Sequence, residues 1–411
     1  MEYLHPASTP ASKSELNLFT IPPTQVAIES TYETDYRPSQ NLDNGKTFEI
    51  NIPASEDFTD LSATMVHMKV YITNKDAILK PTEKITLVEN FANAIFEQID
   101  LYLGSTNTSL ANNMYHYQAF LEDLLFRHPT EAEAGSSIDQ QIVQGHKVFE
   151  LYFKLHLPMC SQDKLLLNGI PLSFRFTRSS GSFPIIKETL VETEEYSFKI
   201  QKFSLHIKRM KLYPDTQTSI IKTLEQYPAK YFITRSDTRN FFIAKGLSSI
   251  SVENIFSGAL PRKCIIGFVY ERAISGYIDS HPFKLQHFNV AHISLNIDGV
   301  MFPSIPYTPE FANGNAMREF VELYRTLGQD EGIAQLNLQY EKYKDNKVLY
   351  AFDIGGELGA EIGVLSLVKR GKARLEVRFS QALASTIKAI VFAQYDNLIT
   401  IDKDRQVTID Y

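Results

Sequence analysis

The sequence predicts an all-β protein built as two tandem eight-stranded jelly rolls, a double jelly roll, with short helices in the connecting loops. Three observations predict it. Tyr (21) and Phe (27) are abundant, Trp is absent, and turn signals recur at short intervals, a composition that suits sheet. Strand-length runs alternate apolar and polar residues along all 411 positions. The landmarks of the first half also return in the same order in the second. Gly104 matches Gly299 (299 − 104 = 195) and Phe120-Leu121-Glu122 matches Phe320-Val321-Glu322 (320 − 120 = 200). Leu151-Tyr152 matches Leu349-Tyr350 (349 − 151 = 198), and the run from Leu172 to Phe176 matches that from Leu375 to Phe379 (375 − 172 = 203). A repeat of about 200 residues with around eight strands per copy fits an eight-stranded Greek-key sandwich, with a plain pair of β-sandwiches of another topology as the alternative.

In chain order, residues 1–20 hold Pro, Ser, Thr and Ala with little hydrophobic pattern and read as a flexible arm. The first jelly roll is placed over 21–214 and the second over 215–411. Residues 24–36 read as a first strand, with Val26, Ile28 and Tyr32 on or near one face. Strands follow at 48–52 and 65–72, separated by a polar turn at 53–60. After the turn-rich Glu89, Asn90 and Asn93, the stretch Gln98-Ile99-Asp100-Leu101-Tyr102-Leu103 alternates with period two and ends at Gly104. Beyond the polar linker 105–113, Tyr117, Phe120, Leu121, Leu124 and Leu125 lie on one face of a helix. Asn112 and Asn113 stand where they can cap it. This helix reads as a clasp over one end of a sandwich.

The loop 128–146 carries Glu131, Glu133, Gly135, Ser136, Ser137 and Asp139, and reads as long, polar and exposed. Strands resume at 148–157 and 172–177, an acidic turn spans 188–195, and a long strand occupies 196–213. Pro214 opens a connector of about ten to fifteen residues. The second half begins with strands at 230–234, 241–244 and 264–270. His292-Ile293-Ser294-Leu295-Asn296-Ile297 then alternates and ends in the hairpin pair Asp298-Gly299. Met317, Phe320, Val321 and Tyr324 mark a second helix, with Asn315 before it and Gly328 after it. Strands close the chain at 348–354, 373–379, 387–392, 398–401 and 407–409.

Composition narrows function. A hydrophobic content of 44% supports a sizeable core, and a net charge of −7 argues against a general nucleic-acid binder. Cys160 and Cys264 make neither a disulfide framework nor a zinc cluster and read as reduced thiols of an intracellular or virion protein. The start Met1-Glu2-Tyr3-Leu4-His5-Pro6 lacks the charged and apolar regions of a signal peptide. No apolar run approaches the ~18 residues of a membrane span. The Asn107-Thr108-Ser109 sequon is therefore expected to go unused.

Chemistry is sought and not found. No phosphate-cradling loop is present, and Gly355-Gly356-Glu357-Leu358-Gly359 opens no βαβ unit, so it reads as a turn. The ten histidines are scattered, without a His-x-His pair or a zinc-protease helix. His287 and His292 form the nearest pair and read as polar residues in and beside a sheet. No nucleophile elbow occurs and neither cysteine has a catalytic signature. Catalytic, cofactor-binding and metal-ligating residues are accordingly none, and no enzyme is expected. The basic clusters Lys208-Arg209-Lys211 and Lys369-Arg370-Lys372-Arg374 could touch an internal genome or an acidic neighbour. A solvated strand end or turn is the preferred reading.

One run carries a family resemblance. Val391-Phe392-Ala393-Gln394-Tyr395-Asp396-Asn397-Leu398-Ile399-Thr400-Ile401-Asp402-Lys403-Asp404-Arg405-Gln406-Val407 resembles the ending of major capsid proteins of Polinton (Maverick) elements and adintoviruses. So do Asn90-Phe91 leading into Ile99-Asp100-Leu101-Tyr102-Leu103, and Tyr117-Gln118-Ala119-Phe120-Leu121-Glu122. Pro282-Phe283-Lys284-Leu285-Gln286-His287-Phe288-Asn289 and Asp298-Gly299-Val300 with Pro303 extend the likeness over nearly the whole chain beyond the arm. The resemblance implies a capsid protein that forms homotrimers of pseudo-hexameric outline in an icosahedral shell around a DNA genome. It implies capsomer–capsomer contacts, a minor capsid or penton partner, no sequence-specific nucleic-acid binding, and assembly inside the host cell. The loops 128–146 and 188–195 depart most from that pattern. A minor capsid or vertex protein, and a carbohydrate-binding or cupin-like paired jelly roll, are the alternatives.

Overall fold

The computed structural model describes residues 6–9, 11, 14–19, 21–42, 45–126, 142–187, 194–328, 338–355 and 367–410. The first sandwich consists of β1 (Ile28–Tyr36), β2 (Thr47–Ile52), β3 (Phe58–Asn74), β4 (Phe96–Leu103), β5 (Thr106–Asn107), β6 (Val148–Lys154), β7 (Leu172–Arg178) and β8 (Tyr196–Leu212). One sheet runs β1-β8-β3-β6 and the other β2-β7-β4-β5. The second consists of β9 (Ala229–Ile243), β10 (Ser249–Ala259), β11 (Lys263–Tyr270), β12 (Val290–Ile297), β13 (Val300–Tyr307), β14 (Leu349–Asp353), β15 (Arg370–Phe379) and β16 (Ile387–Ile401). Its sheets run β9-β16-β11-β14 and β10-β15-β12-β13, so each strand of the first half has its counterpart eight labels later. Each set of eight antiparallel strands makes a jelly roll.

The repeat landmarks fall in equivalent elements. Gly104 and Gly299 both take positive φ (60° and 89°) in the β4–β5 and β12–β13 hairpins, where a side chain would be strained. Leu151 lies on β6 and Leu349 on β14; Phe174 lies on β7 and Val377 on β15.

Period-two burial explains the strands. On β3, Val66, Met68, Val70 and Ile72 are buried while His67, Lys69 and Tyr71 face outward. Phe48, Phe176 and Phe203 meet at the centre of the first core, with ring centroids 4.9–5.2 Å apart. Each fully buried Phe of this kind contributes roughly 1.5–3 kcal/mol.

Several elements differ from the sequence reading. Residues 58–60 belong to β3, because Phe58 points inward and the half-buried Asp60 satisfies the Ser62 hydroxyl. Lys230 and Phe241 lie on one strand, β9: the intervening Ser236, Asp237 and Thr238 are polar yet buried, with Asp237 paired to Arg239. Likewise β16 is continuous through Gln394 and Asn397. β10 escapes a period-two reading because its register shifts between Val252 and Phe256, where Asn254 is left-handed. β13 escapes it because of Pro303 and Pro306. The connector after β8 is a helix, α2 (Pro214–Gln226), started by Pro214 at its first turn. A further three-stranded sheet joins Ile185–Ile186, Lys84–Leu87 and Ile142–Gln144. The rest of the 128–146 loop up to residue 141, residues 188–193 of the acidic turn, and Gly356 to Gly359 lie outside the described residues.

The helix α1 (Tyr115–Phe126) departs from the clasp expected of it. It stands between the two cores. Tyr115 packs in the first core and donates to Asn93 Oδ1 at 2.9 Å. Tyr117, Phe120, Leu121 and Leu125 pack in the second core; Tyr117 donates to the Pro282 carbonyl at 2.7 Å. Phe120 stacks on Phe283, centroids 4.5 Å apart. Asn112 and Asn113 do not cap it: the Asn112 carboxamide accepts from Met114 N–H, and the Asn113 N–H goes to Gln98. Its counterpart α3 (Met317–Thr326) has Ala316, in place of Asn315, at its N-cap, and ends before the left-handed Gly328.

Candidate assembly surfaces

The singled-out residues form no common site. Cys160 packs in the first core and Cys264 in the second. Burial pushes the Cys160 thiol up to about 12 and the Cys264 thiol higher still, so neither carries thiolate at neutral pH. His287 stacks on Phe311 and accepts from Asn289 N–H, whereas His292 lies 3.2 Å from Ser294 Oγ on β12. Burial lowers both rings, and nothing brings them together. Asn107 of the sequon accepts the Ser109 N–H, and Thr108 is buried.

The basic clusters are largely engaged. The buried Arg209 guanidinium donates to Thr59 Oγ1 inside the sandwich. Lys211 lies 3.2 Å from Glu29 and Lys208 4.0 Å from Asp60. Lys369 donates to the Ile354 carbonyl, and Arg374 pairs with Glu376 and Glu253. At Gly371 an added Cβ would lie 2.2 Å from the Asp298 carboxylate, which accepts the Lys372 N–H, so that side chain would have to shift.

Sequence reasoning missed a buried polar cluster. His156, beyond the end of β6, has Nδ1 2.8 Å from Glu122 Oε2 and Nε2 3.2 Å from Asp123 Oδ1. Gln118 binds Glu122 and the His156 carbonyl; Asn90 binds Asp123. Glu122 and His156 border a cavity of about 420 Å³ that Cys160 also lines. A His–carboxylate pair can move a proton, but the neutral Cys160 thiol offers it no activated nucleophile. The cluster ties α1 to the turn before β4 and to the chain after β6. No spacing signature could have revealed it, since its acids and its histidine come from separate elements.

The surface is more informative. β13 is the edge strand of its sheet. Pro303 and Pro306 remove two donors, and Arg318 of α3 donates to the carbonyls of Ile305 and Pro306, both at 2.7 Å. The edge is thereby blunted against strand addition. Its side chains stay available: Ile305 is 69% exposed and Val300 59%, with Met317 and Val321 exposed on the adjoining α3. A second apolar set, Leu16, Leu18, Phe19, Ile21 and Val26, is exposed ahead of β1. Exposed apolar groups gathered at an edge mark interaction surfaces. Among the described residues, no helix is long and apolar enough to cross a membrane, and no three His, Cys, Asp or Glu side chains are grouped to hold a metal ion.

No protein-family model matches the chain. A curated relative, an uncharacterized protein of Caenorhabditis elegans, is 20% identical over 382 residues, covering 86% of this chain and 87% of its own length. Solved structures align along nearly the whole chain. That of the Sputnik virophage has a TM-score of 0.64 at 10% identity, covering 98% of this chain and 93% of that one. The mavirus major capsid protein gives 0.59 at 11% identity, covering 100% and 97%, and the Faustovirus major capsid protein 0.59 at 9%, covering 95% and 93%. In fold, the chain is a double jelly roll of the kind found in these viral major capsid proteins.

Proposed function

We propose that the protein is a structural major capsid protein of a Polinton-like virus or transposon. The observation that carries this reading is the match of both sandwiches, in one chain-length alignment, to viral major capsid proteins. Two like lobes per chain let three chains present six, so the protomer trimerises into a capsomer of pseudo-hexameric outline and tiles an icosahedral shell around DNA. The lobes are 21–214 and 215–411, with 1–20 as an arm. Lineage rests on the sequence resemblance of the Val391–Val407 tail and on a chain-length relative in an animal, which suits an element resident in animal genomes. A penton or minor capsid protein completes the vertices, and assembly takes place inside the host cell.

The mechanism is surface burial. Contacts between chains are individually weak, so that a growing shell anneals errors, and strong in number. Negative-stain imaging of the purified protein should find trimers of hexagonal outline or closed particles. A protein that stays monomeric at high concentration overturns the reading.

A further inference from the structure

A cavity of about 680 Å³ opens at the seam between the halves, a volume within the roughly 300–1,000 Å³ range of small-molecule sites. One wall is the small sheet of the first half; the other is the second-half segments around residues 281–284 and 346–347. Its charge runs against the rest of the molecule. The chain carries 48 acidic and 41 basic residues, yet this wall holds Lys84, Lys187, Lys284 and Lys347 against Glu89.

Two of those cations are committed. Lys347 is buried, paired with Glu89, and donates to the Phe283 carbonyl. Lys187 pairs with Glu194 at 2.6 Å and with the Tyr196 hydroxyl. The Lys84 and Lys284 ammonium groups have no ion pair or hydrogen bond among the described residues. Two further groups shape the wall. His281 Nδ1 accepts the Phe283 N–H, which leaves the proton of a neutral ring on Nε2 as a donor. Asn346 Oδ1 is buried without a partner among the described residues, an acceptor waiting for an N–H or O–H. Apolar side chains of Leu87, Ile142 and Phe283 supply the remaining wall.

We propose that this cavity binds a small phosphorylated organic molecule, of the nucleotide or sugar-phosphate class, that bridges the two halves. Lys84 and Lys284 hold the phosphates as point charges, and Asn346 reads a hydroxyl or amine. A ligand that touches both halves and binds the folded state raises its stability. The site does not depend on the capsid reading.

The test uses the full chain, with ATP, inorganic tripolyphosphate and adenosine as probes in calorimetry and thermal unfolding. ATP and tripolyphosphate should bind and raise the melting temperature at low salt, and adenosine should not. The Lys84→Ala/Lys284→Ala variant should bind at least tenfold more weakly, about the loss of one charge-assisted contact. Its melting temperature without ligand should match the parent, since both lysines are exposed. Lys222→Ala, an exposed lysine on α2, should bind like the parent. Absence of phosphate binding, undiminished binding by the double variant, or an equal loss in Lys222→Ala overturns the proposal. If the double variant folds poorly, Lys284→Gln alone decides the same question.

Discussion

His116 shows what burial does to a single titratable residue. It is 5% exposed, with the Phe183 ring 4.3 Å and the Tyr117 ring 5.1 Å from its own, and its Nδ1 has no partner among the described residues. Burial pushes the imidazole down to about 3. In the unfolded chain the same ring takes up a proton near pH 6.5. Below that pH the unfolded state binds more protons than the folded one. Stability is therefore untouched above about pH 6.5 and falls as the pH drops toward the folded value. Each pH unit in that window costs about 1.36 kcal/mol, so His116 alone removes roughly 2 kcal/mol between pH 6.5 and 5. His281 acts in the same direction: burial holds it at about 4, with Lys347 and Lys284 adding to the effect and Glu89 opposing it. His116→Leu should recover about 2 kcal/mol of the acid loss, read by urea unfolding at about pH 7 and pH 5. An acid limb as steep as the parent's would show that the buried ring is not its source.

Among elements, α1 is one of those that join the halves, alongside Tyr231, Ile233, Ile399 and Ile401 of β9 and β16, which pack in the first core. Phe120 stacks on Phe283 from one side and receives the Lys347 ammonium 4.4 Å from its ring centroid. Phe120→Ala should cost about 3–5 kcal/mol by denaturant unfolding, because it empties a site lined by fixed partners from the second half. A loss under about 1 kcal/mol would mean that the seam collapses around the gap and that α1 does not join the cores. The apolar face of α1 was legible from its i, i+3, i+4 spacing, since a helix buries one stripe whichever neighbour covers it. That neighbour was not legible: Phe283 belongs to the other half, and no local pattern links the two. The same contrast runs through the strands. β4 and β12 were readable because apolar and polar residues alternate along them, although Gln98, Asp100 and Ser294 are buried too, and a glycine follows each of them. β9 and β16 were cut in two because their polar middle residues are buried inside the molecule, a tertiary effect that local hydrophobicity does not record. The lysine cavity and the His156 cluster were invisible for the same reason, each being assembled from segments far apart in the chain.

At the scale of the molecule, the two sandwiches share a strand order and differ at one edge. β5 is only Thr106–Asn107, and its Thr106 hydroxyl donates to the Val407 carbonyl on the second half's last strand, so this edge is short and in contact with the other half. β13 runs the full length Val300–Tyr307 at the margin of its sheet. Its two prolines and the Arg318 contacts oppose backbone pairing, which could propagate without limit, while Ile305 and Val300 remain available for side-chain packing. An edge blunted in this way favours contacts that close into a ring over contacts that grow into fibres. If the chain assembles as proposed, Ile305→Glu with Val321→Glu should leave the monomer folded, because both side chains are solvent-exposed and substitutions at such sites stay within about 0.5 kcal/mol. The same pair places two carboxylates where an apolar contact would form, so association should weaken at least tenfold, by about 1.4 kcal/mol or more. Light scattering on size-exclusion fractions reads the mass, and circular dichroism reads the fold. A folded variant of lower mass assigns β13 and α3 to the interface between chains, whereas unchanged assembly would move that interface elsewhere, with the exposed Leu16–Val26 segment the next surface to mutate.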